Sequence, residues 1–189
     1  CDYCLNGNQN FCRSFKIKGE NISGTFAEYF SAPARNFLKI PSDFDLKTAA
    51  AAPLNFLTAW RMLVSLGKVS VGERVFIQGA GGGVATAAIQ IAKLFGATVI
   101  TTTSTAEKME KARAIGADYV FNYKKNPNYS KEIYKEITHK QGVDLVIDSV
   151  GKATFSKSIR LLRSGGKYIT CGATTGGKTE LDQIGRAHV

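Results

Sequence analysis

The chain has 189 residues, 44% of them hydrophobic and 21% charged, with 25 Lys and Arg against 15 Asp and Glu for a formal net charge of +10. That length holds one domain of about 100–150 residues and part of a second, and the mixed composition excludes a disordered or low-complexity chain. No apolar run approaches the ~20 residues of a membrane span and no secretory leader opens the sequence, so a cytoplasmic protein without a membrane partner is expected. The lysines are scattered, densest over 124–140, and lack the aromatic interleaving of a nucleic-acid module.

Three of the four cysteines fall in the first twelve residues as Cys1-x2-Cys4-x7-Cys12. Thiolates so spaced can grip one tetrahedral zinc. A fourth ligand is not at hand: His139 and His188 are remote, and Cys171 falls in an expected strand, where it reads as a buried residue rather than a nucleophile. Either the fourth ligand precedes Cys1 in a longer chain, or these are free thiols; opening in mid-motif favours truncation. Residues 24–41 carry β-favouring side chains with prolines at the edges, which predicts a strand or two, the tail of a β-rich domain. Ser42-Asp43 is the expected cap of a helical region over 46–66, interrupted at Pro53 and bridging two domains, with Trp60 as a packing residue.

Residues 74–95 organise the rest of the chain. Arg74–Gln78 is a short apolar run suited to a buried parallel strand. Gly79, Gly81, Gly82 and Gly83 come next, and from Val84 to Phe95 the chain is Ala-rich with helical spacing. Strand, glycine turn and helix together offer backbone amides and a helix dipole to a phosphate. The glycine pattern is irregular; Gly79-x-x-Gly82-x-x-Ala85 is one frame that fits, with alanine tolerated third. The rival reading is a flexible turn without a ligand.

Beyond the turn, strands are expected near 74–78, 97–102, 118–122, 143–148 and 166–171. Helices are expected near 83–95, 105–115, 130–138 and 153–163. This alternation predicts an α/β fold with a doubly wound parallel sheet and a cleft at the carboxyl ends of its strands. The sixth strand of a full dinucleotide-binding domain is missing. Ile184–Val189 has no usable pattern and reads as a non-native tail. After the second strand come Thr103 and Ser104, no acid before Glu107, and then Lys108. Small and basic residues there suit a ribose 2′-phosphate rather than two free hydroxyls; the rival is a strand end, a helix cap and a solvated lysine. His139 reads as a surface helix end.

Taken together, these residues resemble the medium-chain dehydrogenase/reductase superfamily, at its zinc-type alcohol dehydrogenase and quinone oxidoreductase end. The carriers are Cys1-x-x-Cys4-x-x-Gly7-x-x-x-x-Cys12, Gly24-Thr-Phe-Ala-Glu-Tyr, Ala50-Ala-Ala-Pro-Leu-Asn-Phe-Leu-Thr-Ala-Trp and the glycine turn, then Ile115-Gly-Ala-Asp, Asp144-Leu-Val-Ile-Asp-Ser-Val-Gly and Leu161-Leu-Arg-Ser-Gly-Gly-Lys. The resemblance covers all but the last few residues. It implies a Rossmann-type domain over 46–183, preceded at 1–45 by the remnant of a GroES-like domain with a structural zinc held by Cys1, Cys4 and Cys12. It also implies a cofactor bound by Gly79, Gly81, Gly82, Gly83 and Val84, with Thr103, Ser104, Lys108 and Tyr123 around the 2′-phosphate. Ser149 and Val150 would line adenosine, Gly172, Ala173 and Thr174 the nicotinamide ribose, and Thr58 would face the nicotinamide.

NADPH is expected in preference to NADH, with a small-molecule substrate, no nucleic-acid partner, and a homo-oligomer, dimer or tetramer, when full length. Zinc alcohol dehydrogenases of the family carry a catalytic-zinc cysteine where this chain has Leu54-Asn-Phe-Leu57, so no catalytic zinc is expected. The implied reaction is hydride transfer to a polarised C=C or a quinone, with the fragment itself inactive and its catalytic residues unassigned. The alternatives are a zinc-dependent alcohol dehydrogenase, a zinc-containing nucleic-acid-binding module and a nucleotide-binding structural protein.

Overall fold

The computed structural model describes residues 1–180, so the expectation for Ile184–Val189 lies outside the described residues. The chain divides into two compact units, Cys1–Phe44 and a second that begins at Asp45.

The first unit holds one helical turn, α1 (Asp2–Leu5), 3-10 turns at Gln9–Phe11 and Ala34–Asn36, and an isolated bridge between Lys18 and Ile22. The strand expected over 24–41 does not form. Phe26, Tyr29 and Leu38 have suitable side chains but stand almost wholly exposed. β-propensity expresses packing on a pleated surface, and a lone strand leaves its amides and carbonyls unpaired. This unit has no second strand to receive them, so the expected β-rich remnant is not present as a sheet.

The second unit opens with α2 (Leu46–Trp60). Its cap is Asp45, not Ser42–Asp43: the carboxylate accepts from the Thr48 hydroxyl and amide, each at 2.8 Å. Those two bonds hold the Asp45 carboxyl below the usual range. The helix also runs straight through Pro53, although an interior proline forfeits an amide–carbonyl bond at a cost of ~3 kcal/mol. The irregularity comes later, where Arg61–Gly67 widens into π-helical turns that bury Met62 and Leu63. Trp60 packs edge-on against Phe95, ring centroids 5.9 Å apart.

Five strands and four helices then alternate: β1 (Arg74–Ile77), α3 (Gly83–Leu94), β2 (Thr98–Thr103), α4 (Ala106–Ala114), β3 (Tyr119–Asn122), α5 (Tyr129–Glu132, extended by π-helical turns over Ile133–Ile137), β4 (Val143–Asp148), α6 (Phe155–Leu161) and β5 (Leu162–Thr170). All strand pairs are parallel, in the order β3-β2-β1-β4-β5. This is the Rossmann-like α/β sheet expected from the sequence.

Its two faces follow from the two-residue period of a strand. Val75, Ile77, Val99, Leu145 and Ile147 pack with Met62, Leu63 and the Ala85–Ala92 stripe of α3. Phe76, Ile100 and Val146 pack with Tyr129, Ile133 and Leu161. Each large apolar side chain fully buried in this way contributes about 1.5–3 kcal/mol. Because β4 lies on the far side of β1 from β2, the winding reverses between β1 and β4. That reversal opens a crevice at the strands' carboxyl ends.

The last strand differs from expectation. It starts at Leu162, directly after α6, rather than at 166. Gly142 (φ +84°) passes so close that a Cβ there would lie 2.6 Å from the Arg163 amide nitrogen. Cys171 falls one residue past β5 and is exposed, not a buried strand residue.

Two tyrosines pack near the buried carboxylate of Asp148, at the end of β4. Tyr129 stacks on Phe76 and donates to Gln78 Oε1 at 3.2 Å. Desolvation first, and the Asp148 charge second, push both Tyr129 and Tyr168 up to about 12 from 10. The folded state therefore holds these protons where the unfolded state has released them. Their contribution is complete below pH 10 and is lost as pH climbs towards 12. Urea titrations at pH 9 and pH 11 should show this loss, and Tyr129→Phe should reduce it.

Candidate functional site

At the carboxyl end of β1 the chain enters the glycine turn, and β2 fixes its path. Gly79, at φ +80°, donates its amide to Thr102 Oγ1 at 3.2 Å, and Ala80 donates to the Thr102 carbonyl at 2.8 Å. Gly82 N–H turns inward to the Gly79 carbonyl at 3.2 Å. Three amides of the turn are thus engaged, that of Gly81 is not, and further donors follow it. Gly82 is the N-cap of α3 and no side chain caps the helix. The amides of Gly83, Val84 and Ala85 are therefore the orphan donors of its first turn, since the first intrahelical bond runs from Thr86 N–H to the Gly82 carbonyl at 2.9 Å. The positive end of the α3 dipole reinforces them.

The glycines answer to different neighbours. A Cβ on Gly83 would meet the Asn55 carboxamide of α2 at 2.6 Å, so a larger residue here would have to displace that side chain. One on Gly81 would touch Lys108 Cδ and Nζ at 3.4 Å. One on Gly82 would meet nothing nearer than the Gly79 carbonyl at 3.8 Å, and Gly82 has an ordinary φ of −93°. Neither strain nor crowding within the chain asks for glycine at 82. Close approach of a ligand to the backbone would.

Lys108 follows the Thr105 cap of α4, whose hydroxyl accepts from the Lys108 amide at 3.2 Å. Its side chain lines a pocket of about 310 Å³ with Ala80, Gly81, Thr86, Glu107 and Lys111. Glu107, the nearest acid in sequence, is taken by Lys111 at 2.6 Å, and that hydrogen bond lowers its carboxyl below the usual range. Tyr123 N–H donates to the Thr103 carbonyl at 3.0 Å, which brings the ends of β2 and β3 together; Thr103 is buried and Ser104 half-buried.

Across the crevice, two further predicted segments are stitched to each other. Thr174 N–H donates to the Ser149 carbonyl at 3.3 Å, and Thr175 N–H to the Val150 carbonyl at 2.8 Å. Gly151, at φ +87°, lies where a Cβ would come within 2.8 Å of Ala173 Cβ. Gly172, Ala173 and Thr174 are exposed at the end of β5. Thr58 is half-buried on α2, three residues and so one turn beyond Asn55.

Sequence reasoning missed Asn55, Thr102 and Asp148. The signal for Asp148 was present: an Asp two residues before Val150-Gly151 forms an Asx turn, and Thr154 and Ser158 stand one helical turn apart.

In the first unit, described by itself, Cys1 Sγ lies 3.7 Å from Cys4 Sγ and 3.8 Å from Cys12 Sγ. All three sulfurs are within 4.8 Å of one another. A tetrahedral zinc with bonds of about 2.3 Å sets its sulfurs about 3.8 Å apart, so these thiols match three corners of such a site. Among the described residues no fourth His, Cys, Asp or Glu joins them. Hydrogen bonding to Cys12 raises the Cys4 thiol.

The zinc-binding dehydrogenase family matches residues 83–186, more than half of the chain. The chain belongs to that family, within the medium-chain dehydrogenase/reductase superfamily. Among curated relatives it is 37% identical to the quinone oxidoreductase of Homo sapiens over 152 residues, 80% of this chain and 46% of that protein. It is likewise 37% identical to a Burkholderia 2-haloacrylate reductase over 155 residues, 81% of this chain and 46% of that one. Among solved structures, an NAD-dependent alcohol dehydrogenase superposes with a TM-score of 0.88 at 42% identity, over 94% of this chain and 51% of that one. A mycobacterial protein complexed with NADPH gives 0.73 at 36% identity, over 80% of this chain and 46% of that one. The chain spans about half the length of the curated relatives it matches. Among the described residues no helix is long and apolar enough to cross a membrane.

The contrast between Gly82 and Gly83 can be tested without ligand. Gly82→Ala should lower the melting temperature by no more than about 4 °C, because glycine is preferred to alanine at an N-cap by up to about 1 kcal/mol. Gly83→Ala should destabilise by about 1–3 kcal/mol through overpacking against Asn55. Thermal unfolding followed by circular dichroism reads both.

Proposed function

We propose that this chain is the cofactor-binding part of an NADPH-dependent oxidoreductase that reduces a polarised C=C or a quinone without a catalytic zinc. The observation that carries the reading is the mouth of α3, where three orphan amides face a Gly82 that nothing in the chain requires to be glycine. A diphosphate fits both features: its oxygens accept from Gly83, Val84 and Ala85, and it needs the space a Cβ on Gly82 would take. The quinone oxidoreductase and 2-haloacrylate reductase relatives support the substrate class, and the neighbour complexed with NADPH supports the cofactor.

Bound NADPH would supply a hydride from its nicotinamide. This chain's residues would hold and orient it. The sheet order runs from β2 and β3 on one side of the mouth to β4 and β5 on the other. On the β2 side, Thr103, Ser104 and Tyr123 come together beyond the strand ends and Lys108 lies along Gly81. With Glu107 engaged by Lys111, that corner suits a 2′-phosphate. The Ser149–Gly151 turn, expected from the sequence to line adenosine, is clasped to Ala173–Gly176 on the other side of the mouth, and we assign both segments, with Thr58 on α2, to the nicotinamide half instead. The NAD-dependent alcohol dehydrogenase neighbour supports the rival reading. Against it stand the missing acid at the end of β2 and the side chains Leu54, Asn55, Phe56 and Leu57, none of which is a ligand suited to catalytic zinc.

Lys108→Ala should weaken NADPH binding by about 1–2 kcal/mol, the range for a charge-assisted contact, and leave NADH unchanged in calorimetric titrations. Equal losses for both cofactors would overturn the 2′-phosphate assignment.

A structural zinc on Cys1, Cys4 and Cys12 belongs to the same proposal. Metal analysis of the full-length protein should find one zinc per chain, lost in Cys4→Ser. Two zinc ions per chain would refute the absence of a catalytic metal.

A further inference from the structure

We propose that Asp148 is a positioning residue for the nicotinamide half of the cleft, its carboxylate setting the Ser149–Gly151 turn so that it seats beside the glycine turn and clasps the loop after β5. This role rests on the cofactor reading above and extends it to a residue that itself touches no cofactor.

Asp148 ends β4 and is fully buried. One carboxylate oxygen accepts from the Val150 amide at 2.8 Å and, more weakly, from the Gly151 amide at 3.4 Å. The other accepts from Thr154 Oγ1 at 2.9 Å and Ser158 Oγ at 2.8 Å, both themselves buried on the far side of the turn. A carboxylate buried at this depth is costly unless its lone pairs are filled, and here they are filled by the turn and by the start of α6. The chain reversal between β4 and α6 is therefore drawn around one group.

The turn so held makes contacts in two directions. Toward β1, Val150 Cγ2 lies 3.9 Å from the position of a Cβ on Gly79, beside the glycine turn. Toward β5, the Ser149 and Val150 carbonyls accept from Thr174 and Thr175, Lys152 N–H donates to the Gly176 carbonyl at 3.0 Å, and Ala153 N–H donates to Thr175 Oγ1 at 3.0 Å. The Thr175 hydroxyl closes the clasp on the Val150 carbonyl at 2.7 Å. The turn after β4 and the loop after β5 thus take their spacing from one buried carboxylate, and the turn abuts the glycine turn that β2 holds. Lys108 and the pocket along Gly81 lie on the opposite side of the mouth and share none of these bonds.

That asymmetry separates a positioning role from general support of the fold. NADPH spans the crevice, whereas 2′,5′-ADP carries only the adenosine end with its phosphates. In calorimetric titrations of the full chain, Asp148→Asn should raise the NADPH dissociation constant about tenfold, some 1.4 kcal/mol, and leave that of 2′,5′-ADP unchanged. Amide exchange should accelerate at Val150, Gly151 and Thr175 while the β1–β2 ladder keeps its protection. If Asp148→Asn does not fold, Thr154→Val and Ser158→Ala keep the carboxylate and remove one donor each; they should show the same split in smaller measure. Equal weakening of both ligands, or NADPH binding unchanged with the exchange accelerated, overturns the role. If the parent chain binds neither ligand, the cofactor reading falls and takes this role with it; binding of both without a split in the variants removes this role alone.

Discussion

Thr102 ties the glycine turn to the sheet at two points, and the character of the site follows from that. Its side chain and its carbonyl take the amides of Gly79 and Ala80, while its neighbour Thr101 donates to the Ile77 carbonyl at 2.6 Å. The turn cannot fold back over the start of α3, because two of its amides are committed to β2. The first three amides of that helix are left facing out, uncapped, at the positive end of its dipole. The two other helices of nine residues or more start differently, closed by Asp45 and Thr105, while the short α1, α5 and α6 are uncapped as α3 is. The long helix at the winding reversal is left without a side-chain cap.

From this mouth the crevice has two unlike halves. On the side of β2 and β3 it is basic and built largely from side chains on α4 and from strand ends joined by single backbone bonds. On the side of β4 and β5 it is made of backbone, two loops laced together over a buried acid. Such a division suits a long ligand with a charged end and a neutral end. The zinc-matching thiols of the first unit form a separate feature, with a separate chemistry.

The regular part of the fold was legible because it obeys short-range rules. The alternation of apolar runs and Ala- or Lys-rich helical stretches located every strand and helix of the sheet to within a few residues, and the cysteine spacing foretold three sulfurs that do converge. What escaped depended on partners distant in sequence. Residues 24–41 have strand-like side chains, but a strand also needs a neighbour to receive its backbone. Pro53 reads as a break, yet α2 continues through it, and the helix widens instead at Arg61. The last strand was expected from 166, but β5 begins at Leu162 and passes through Gly165 and Gly166. Within the site, the glycines were read as one phosphate-binding set; the structure divides them, with Gly79 set by its left-handed φ, Gly83 by Asn55, and Gly82 by nothing in the chain. No spacing rule could have linked Asn55 to Gly83, since that contact belongs to the crossing of two helices.

That crossing ties together two positions which local sequence treats as independent. Asn55 also donates to the Ala51 carbonyl at 3.0 Å, so moving its carboxamide aside breaks a bond to its own helix. Bulk at 55 and bulk at 83 therefore compete: a descendant of this sequence that gains a side chain at 83 must re-orient or shorten the one at 55, or tilt α2. Evolutionary change at the mouth of α3 would then have to pass through a residue that lies outside the βαβ unit altogether.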